Sequence, residues 1–340
     1  MNKTLLFSGF LLSTLASCGY QTKPVSEPLD VIAFGSCNKQ DHAQTYWQHI
    51  QSHHPDLWIW LGDNIYADTH DMQVMQDKYQ QQRNNPDYQQ FVSEVPVIGT
   101  WDDHDYGMND GNRDYAKKTA AKAHFMDFMN IPSNHPMAAR DGIYHSRLYG
   151  QPPHQIKVIL LDTRTFQDPL AKTPKGSQRN YVTNHSGSLL GDEQWQWLEK
   201  ELRQSSAQIN VVASSLQVVA EDHKYEMWAN FPNERKRLLN LLVSSQANTP
   251  LILSGDRHLS EVSQIKWQGQ LITDVTSSGL THSFSGNWEE NSHRVGRLIT
   301  DESYSVLFVD WPSSVLTIQQ LGMNQQLLNE IQLPLTVRMQ

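Results

Sequence analysis

Leu61-Gly62-Asp63-Asn64-Ile65-Tyr66-Ala67-Asp68 follows the apolar run Leu57-Trp58-Ile59-Trp60, and this junction decides the fold class. Pro55 just upstream biases the chain toward extended backbone, and the run has the length of a buried strand. Gly62 lets the chain turn sharply where the run ends. A carboxylate placed directly after a buried strand lies at the carboxyl end of a sheet, where open α/β sheets bind their ligands. Asp63 and Tyr66 are therefore candidate oxygen ligands; the competing role for Asp63 is to cap the following helix.

The same arrangement recurs along the chain. Val31-Ile32-Ala33-Phe34 leads into Gly35-Ser36-Cys37-Asn38, and Val95 to Thr100 leads into Trp101-Asp102-Asp103-His104-Asp105-Tyr106-Gly107-Met108-Asn109. Ile156 to Leu161 leads into Asp162-Thr163-Arg164, and Leu251 to Ser254 into Gly255-Asp256-Arg257-His258. The segment 101–109 lacks the spacing, central glycine and terminal glutamate of an EF-hand loop. Arg164 can either pair with a surface carboxylate or grip a phosphate bidentately. Periodicity predicts helices over 43–52, 113–129, 190–202 (capped by Asp192) and 233–244, with one surface helix and a loop over 71–95. Further strands are expected at 142–149, 209–213, 270–279, 304–310 and 314–319, and residues 167–188 read as a long loop able to cover a site. No repeat or linker divides 30–340, which we read as one domain.

Net charge is −9 over 340 residues and no basic run occurs, which argues against a nucleic-acid-binding surface. Fifteen histidines among carboxylate-rich loops raise the prior for a metal site. At the N-terminus, Lys3 precedes an apolar run from Leu5 to Leu12 that is too short to span a bilayer. Leu15-Ala16-Ser17-Cys18-Gly19 resembles a bacterial lipobox, so residues 1–18 are expected to be a lipoprotein signal, with Cys18 the lipidated first residue of the mature chain. Residues 19–29 would tether the domain to the bilayer, at the periplasmic face of an outer membrane or at the cell surface. The chain has two cysteines, so lipidation of Cys18 leaves Cys37 without a disulfide partner, either buried as a small hydrophobe or ligating a metal.

Cys37, Asp63, Tyr66, Asp103, Asn109, Asp256 and His258 thus follow successive strands. Carboxylates bridge cations, imidazole suits transition metals, and a thiolate beside a phenolate suits iron better than magnesium. Two metal ions together activate water and stabilise both oxygens of an in-line displacement, which makes phosphoester hydrolysis the natural chemistry.

The sequence resembles the PhoD-like alkaline phosphatase family of the calcineurin-like metallophosphoesterase superfamily. The matching stretches are Phe34-Gly35-Ser36-Cys37, Leu61-Gly62-Asp63-Asn64-Ile65-Tyr66, Trp101-Asp102-Asp103-His104-Asp105, Asp162-Thr163-Arg164, Leu190-Gly191-Asp192-Glu193-Gln194-Trp195 and Gly255-Asp256-Arg257-His258. The resemblance implies an α/β fold, a four-layer αββα sandwich of two mixed sheets packed face to face with helices outside. It implies Fe(III) and Ca(II), or other divalent ions, held by Cys37, Asp63, Tyr66, Asp103, Asp256 and His258, with Asn109 assisting at metal and substrate. It further implies that His104 protonates the leaving oxygen and that Arg164 holds the phosphate of the ester. Asn64, Ala67-Asp68 and Asp105 depart from the usual pattern, as does the compact form expected without a large N-terminal accessory domain. A phospholipase D-like phosphodiesterase is the alternative enzyme, and a non-catalytic surface lipoprotein that binds phosphorylated ligands is the alternative outside enzymes. Oligomeric state does not follow from the sequence.

Overall fold

The computed structural model describes residues 26–245, 247–286 and 288–336. The lipobox, Cys18 and most of the expected tether lie outside the described residues. Leu29, assigned to the tether, is instead fully buried between the sheets, so the packed domain already includes it.

The strands are β1 (Val31–Gly35), β2 (Leu57–Leu61), β3 (Val97–Thr100), β4 (His145–Tyr149), β5 (Ile156–Leu160), β6 (Ile209–Ser214), β7 (Pro250–Ser254), β8 (Ser260–Trp267), β9 (Gln270–Ser277), β10 (Arg294–Ile299), β11 (Ser303–Asp310), β12 (Val315–Gly322) and β13 (Leu327–Pro334). They form a six-stranded sheet, β13-β12-β11-β1-β2-β3, and a seven-stranded sheet, β10-β8-β9-β7-β6-β5-β4. Each sheet is mixed: β1-β2-β3 and β5-β6-β7-β9 run parallel, and the flanking strands pair antiparallel. The helices are α1 (Tyr46–Gln51), α2 (Met72–Arg83), α3 (Pro86–Glu94), α4 (Asp103–Tyr106), α5 (Lys118–Phe128), α6 (Gly191–Arg203) and α7 (Pro232–Ser244).

Strand alternation explains the four layers. Leu57, Ile59 and Leu61 of β2 point into an inter-sheet core with Val158, Val211 and Leu253 of the second sheet. Trp58 and Trp60 point the other way, under the helices that carry Trp47 and Phe91. Trp58 and Trp60 meet edge to face, with ring centroids 5.3 Å apart at 89°; such a pair adds about 0.5–1.5 kcal/mol beyond its burial. On the far side Ile159, Val212 and Ile252 pack beneath Trp195 and Leu198 of α6 and Leu238 of α7.

Several local expectations are corrected. The segment 71–95 is two helices rather than one, because Asn85 accepts the Tyr88 N–H as an N-cap and Pro86 occupies the first helical turn. The helix expected over 113–129 begins only at Lys118. Asp192 lies inside the first turn of α6, whose N-cap is Leu190. Strands β8, β10 and β13 form where the sequence pattern predicts none. Among the described residues no helix is long and apolar enough to cross a membrane.

Candidate metal centre

Parallel pairing aligns the carboxyl ends of β1, β2 and β3, with Gly35 opposite Trp60 and Leu61 opposite Thr100. Gly62 has φ +104°, and a Cβ there would stand 2.6 Å from the Asp102 Cβ, so the turn after β2 can press against the turn after β3 only with glycine. Gly255 serves the other sheet: a Cβ there would lie 2.7 Å from the Leu61 carbonyl oxygen and 2.7 Å from Ser36 Oγ. The ligand-bearing turns of both sheets therefore meet at one edge. Asp63 caps no helix, since α2 begins at Met72 under Asp71.

Cys37 Sγ lies 3.4 Å from Asp63 Oδ2, and Tyr66 Oη lies 3.2 Å from the same oxygen and 3.0 Å from His258 Nε2. Three sets of donor atoms each fall within 4.8 Å of one another: Cys37, Asp63 and His258; Asp63, Asp103 and His104; Asp102, Asp103 and Asp256. Among these three, Asp63 and Asp103 each belong to two sets, the arrangement a bridging carboxylate requires. The Asp256-x-His258 pair divides, Asp256 going to the all-carboxylate set and His258 to the thiol set. A fourth set, Asp103, Asp110 and Glu226, extends the cluster outward. Cys37, Asp63, Asp256 and His258 have φ values of 62°, 50°, 67° and 52°, left-handed backbone that non-glycine residues rarely adopt. Strain of this kind persists where the surroundings impose it, and it concentrates at functional sites.

The electrostatics fit cation binding. Burial, reinforced by Cys37 and Asp103, drives the Asp63 carboxyl well above its usual range, and burial with Asp102 and Asp103 does the same to Asp256. Burial pushes the Cys37 thiol up to about 11 and lowers His258 to about 4. Burial also opposes charge on Asp103 and His104. For Asp103 the Arg164 and His104 charges outweigh it and hold the carboxyl below its usual range; for His104 the Asp103, Asp63 and Asp68 carboxylates outweigh it and raise the ring to about 11. Asp102 Oδ2 is buried without a hydrogen-bond partner. A positive ion would relieve the crowded carboxylates, occupy that oxygen and favour the thiolate. Thiol, phenol and imidazole suit a transition metal on one side, and carboxylates suit a hard divalent ion on the other.

Two expected site residues take positions the sequence does not suggest. Arg164 is fully buried: its Nε is 2.5 Å from Asp102 Oδ1 and its Nη1 is 2.6 Å from Glu226 Oε2. Only Nη2 lacks a partner, 4.0 Å from both Asp103 Oδ1 and Asp256 Oδ1, so a free bidentate clamp is replaced by an internal ion-pair node. Asn109 is exposed, and its backbone N–H donates to Asp68 Oδ1 at 3.0 Å. Asp68 is a further residue of the site: both its oxygens lie 2.8 Å from His104 Nδ1, and the His104 ring packs against Tyr66 at 4.2 Å, tilted by 34°. Asp105 braces the turns, accepting N–H groups from Asp102, Asp63 and Asn64. Ser278 Oγ lies 3.0 Å from Cys37 Sγ and accepts the His258 N–H at 2.8 Å. Asp102 adjoins Asp103 in the motif and Ser278 directly follows β9, so both carry the strand-end signal; nothing local marks Glu226. The long loop 167–188 does reach the cluster, its Lys172 Nζ standing 3.4 Å from Asp110 Oδ2.

A family model described as PhoD-like phosphatase matches residues 32–287. Alkaline phosphatase D of Bacillus subtilis (strain 168) is 26% identical over 338 residues, covering 84% of this chain; the chain spans 56% of that relative's length. A solved structure of PhoD superposes with a TM-score of 0.71 at 23% identity, covering 87% of this chain and 66% of the other. The purple acid phosphatase from yellow lupin (Lupinus luteus) seeds gives 0.64 at 13% identity over 92% of this chain and 55% of its own. A dimetal phosphatase from Danio rerio gives 0.54 at 11% identity over 91% of this chain and all of its own (100%). The structural likenesses share the two-sheet fold.

Proposed function

Because this chain belongs to the PhoD-like phosphatase family, we propose that it hydrolyses phosphate esters at the strand-end cluster. The observation that carries this reading is the overlap of three donor sets through Asp63 and Asp103. Cys37, Asp63, Tyr66 and His258 would hold iron, and Asp102, Asp103 and Asp256 would hold calcium or another divalent ion. Such ions supply Lewis acidity, making water reactive at neutral pH and offsetting charge on the phosphoryl oxygens.

This chain's own residues supply the rest. His104 carries a proton with Nδ1 held by Asp68, which leaves Nε2 to donate to the oxygen that departs with the alcohol. Water adds to phosphorus and gives up a proton, the phosphorus–alkoxy bond breaks, the alcohol leaves with the His104 proton, and the proton shed by the water restores His104 through solvent. Arg164 acts as a positioning residue, fixing Asp102 while its unpartnered Nη2 faces Asp103 and Asp256. Asn109, exposed beside Asp68, would meet substrate.

The lipobox at Cys18 supports an exported protein anchored to a bilayer, with its site facing extracytoplasmic esters. Incubation with 4-nitrophenyl phosphate, its bis ester and phosphatidylcholine, before and after chelation, tests the reading. Turnover that is lost on chelation and regained with metal supports it; inactivity on all three with metals restored would favour a phospho-ligand-binding lipoprotein.

A further inference from the structure

Beside the cluster lies a cleft of about 320 Å³ in whose largely polar lining stand the rings of Tyr225, Phe284 and Trp288. It is joined to the metal-ligand segment at two points. Phe284 packs on His258 with ring centroids 4.8 Å apart, and its N–H donates to the His258 carbonyl at 2.9 Å. Arg257, between Asp256 and His258, lays its guanidinium 4.3 Å over the Tyr225 ring and pairs with Glu289 at 2.5 Å. Tyr225 and Phe284 lie nearly parallel, 19° apart. Trp288 stands 79% exposed at the rim, an unusual position for so large an apolar ring.

His223 also lines the cleft and is only 4% exposed. Its Nδ1 accepts the Tyr225 N–H at 3.2 Å, which puts the ring proton on Nε2, and that buried atom has no partner. A buried donor without an acceptor costs free energy unless something fills the role, and here a bound molecule can. Asp222, Glu289 and Glu290 outnumber Lys224 among the charged lining groups, so a second anionic group entering the cleft meets repulsion.

We propose that this cleft is the subsite for the leaving alcohol, and that it selects phosphate esters of uncharged aromatic alcohols. The inference rests on the hydrolase reading and adds the substrate class. Flat rings gain from contact with Tyr225, Phe284 and Trp288, a ring heteroatom or oxygen can accept from His223, and carboxylates at the mouth turn away anionic alcohols.

The test compares benzyl phosphate with ethyl phosphate, whose alcohols have similar acidity so that bond breaking is matched, using the full metal-loaded chain and a Trp288→Ala variant. The exposure of Trp288 makes that substitution benign for folding. We expect kcat/KM to favour the benzyl ester by about tenfold or more, and the preference to shrink to about threefold or less in Trp288→Ala. We also expect 4-carboxybenzyl phosphate to fall below benzyl phosphate. Both esters turned over at equal kcat/KM, a preference that survives Trp288→Ala, or no penalty for the carboxylate would overturn the subsite while leaving the hydrolase reading intact. Turnover of none of the three while 4-nitrophenyl phosphate or its bis ester is still hydrolysed would overturn the subsite alone; inactivity on those esters as well would overturn the hydrolase reading and the subsite with it.

Discussion

Replacing Asp68 by asparagine probes the proton donor without touching the proposed metal ligands. His104 Nδ1 lies 2.8 Å from each Asp68 oxygen, and Asp68 is one of the groups that raise the ring, behind Asp103 and Asp63. A hydrogen bond between charged partners is worth about 1.5–3 kcal/mol when shielded. The Asp68 side chain is 38% exposed, so solvent reduces this to about 1 kcal/mol. At 1.36 kcal/mol per pKa unit, His104 should drop by roughly 0.7 of a unit. The sign follows from the role: the acid form of His104 is required, Asp68 stabilises that form, and its loss moves the high-pH limb of kcat/KM toward lower pH. Loss of ring orientation should also reduce turnover by about tenfold for a poor leaving group such as ethanol. With 4-nitrophenol, which departs without needing a proton, the loss should be small. The assay is kcat/KM against pH for both esters, with bound metal measured in parallel. Equal losses on the two esters, or an unmoved high-pH limb, would refute the assignment of His104 as acid.

Arg164→Met should lower unfolding free energy by about 3–5 kcal/mol, because Asp102 and Glu226 would each lose a buried countercharge; urea denaturation of the metal-loaded protein reads this, and a loss below about 1 kcal/mol would contradict the node. Cys37→Ser should abolish visible absorption from iron bound to thiolate and phenolate, and an unchanged spectrum would make Cys37 a structural thiol. Chelated protein should lose stability as pH rises, since Asp63 and Asp256 have folded pKa values raised above 3.8: their contribution is complete below about pH 4 and declines above it. His104, raised from 6.5 to about 11, adds in the same direction between those values. Thermal melts should therefore show a lower Tm at about pH 8 than at about pH 5 without metal, and a recovery at the higher pH when metal is added.

The ligand-bearing turns are legible because each follows a short, nearly all-apolar strand buried on both faces, as in Leu57–Leu61 with every residue buried. Their chemistry stands out against that background, which is why Cys37, Asp63, Tyr66, Asp103, Asp256 and His258 could be named. Other features have no such contrast. Strand β13 lies at a sheet edge with mostly exposed or half-exposed residues, and β10 is broken in register between Val295 and Ile299. Their pairing is set by distant partners rather than by their own patterning. The split of α2 from α3 was written in Asn85-Pro86, but Gln-rich polarity on both sides hid the boundary. Arg164 shows the limit most clearly: a cation after a strand looks the same in sequence whether it faces a substrate or Glu226, sixty-two residues away in the chain. Asp68 is similar, since its bond to His104 joins two turns by tertiary packing alone.

Metal content tests most directly whether turns from both sheets cage cations. Elemental analysis by mass spectrometry should find more than one metal ion per chain in the wild-type protein, iron among them, and a loss of iron in Asp63→Asn, because Asp63 belongs to the thiol set with Cys37 and His258. A wild-type protein free of stoichiometric metal after growth and refolding with iron and calcium, or an Asp63→Asn variant that retains the full complement, would contradict that caging.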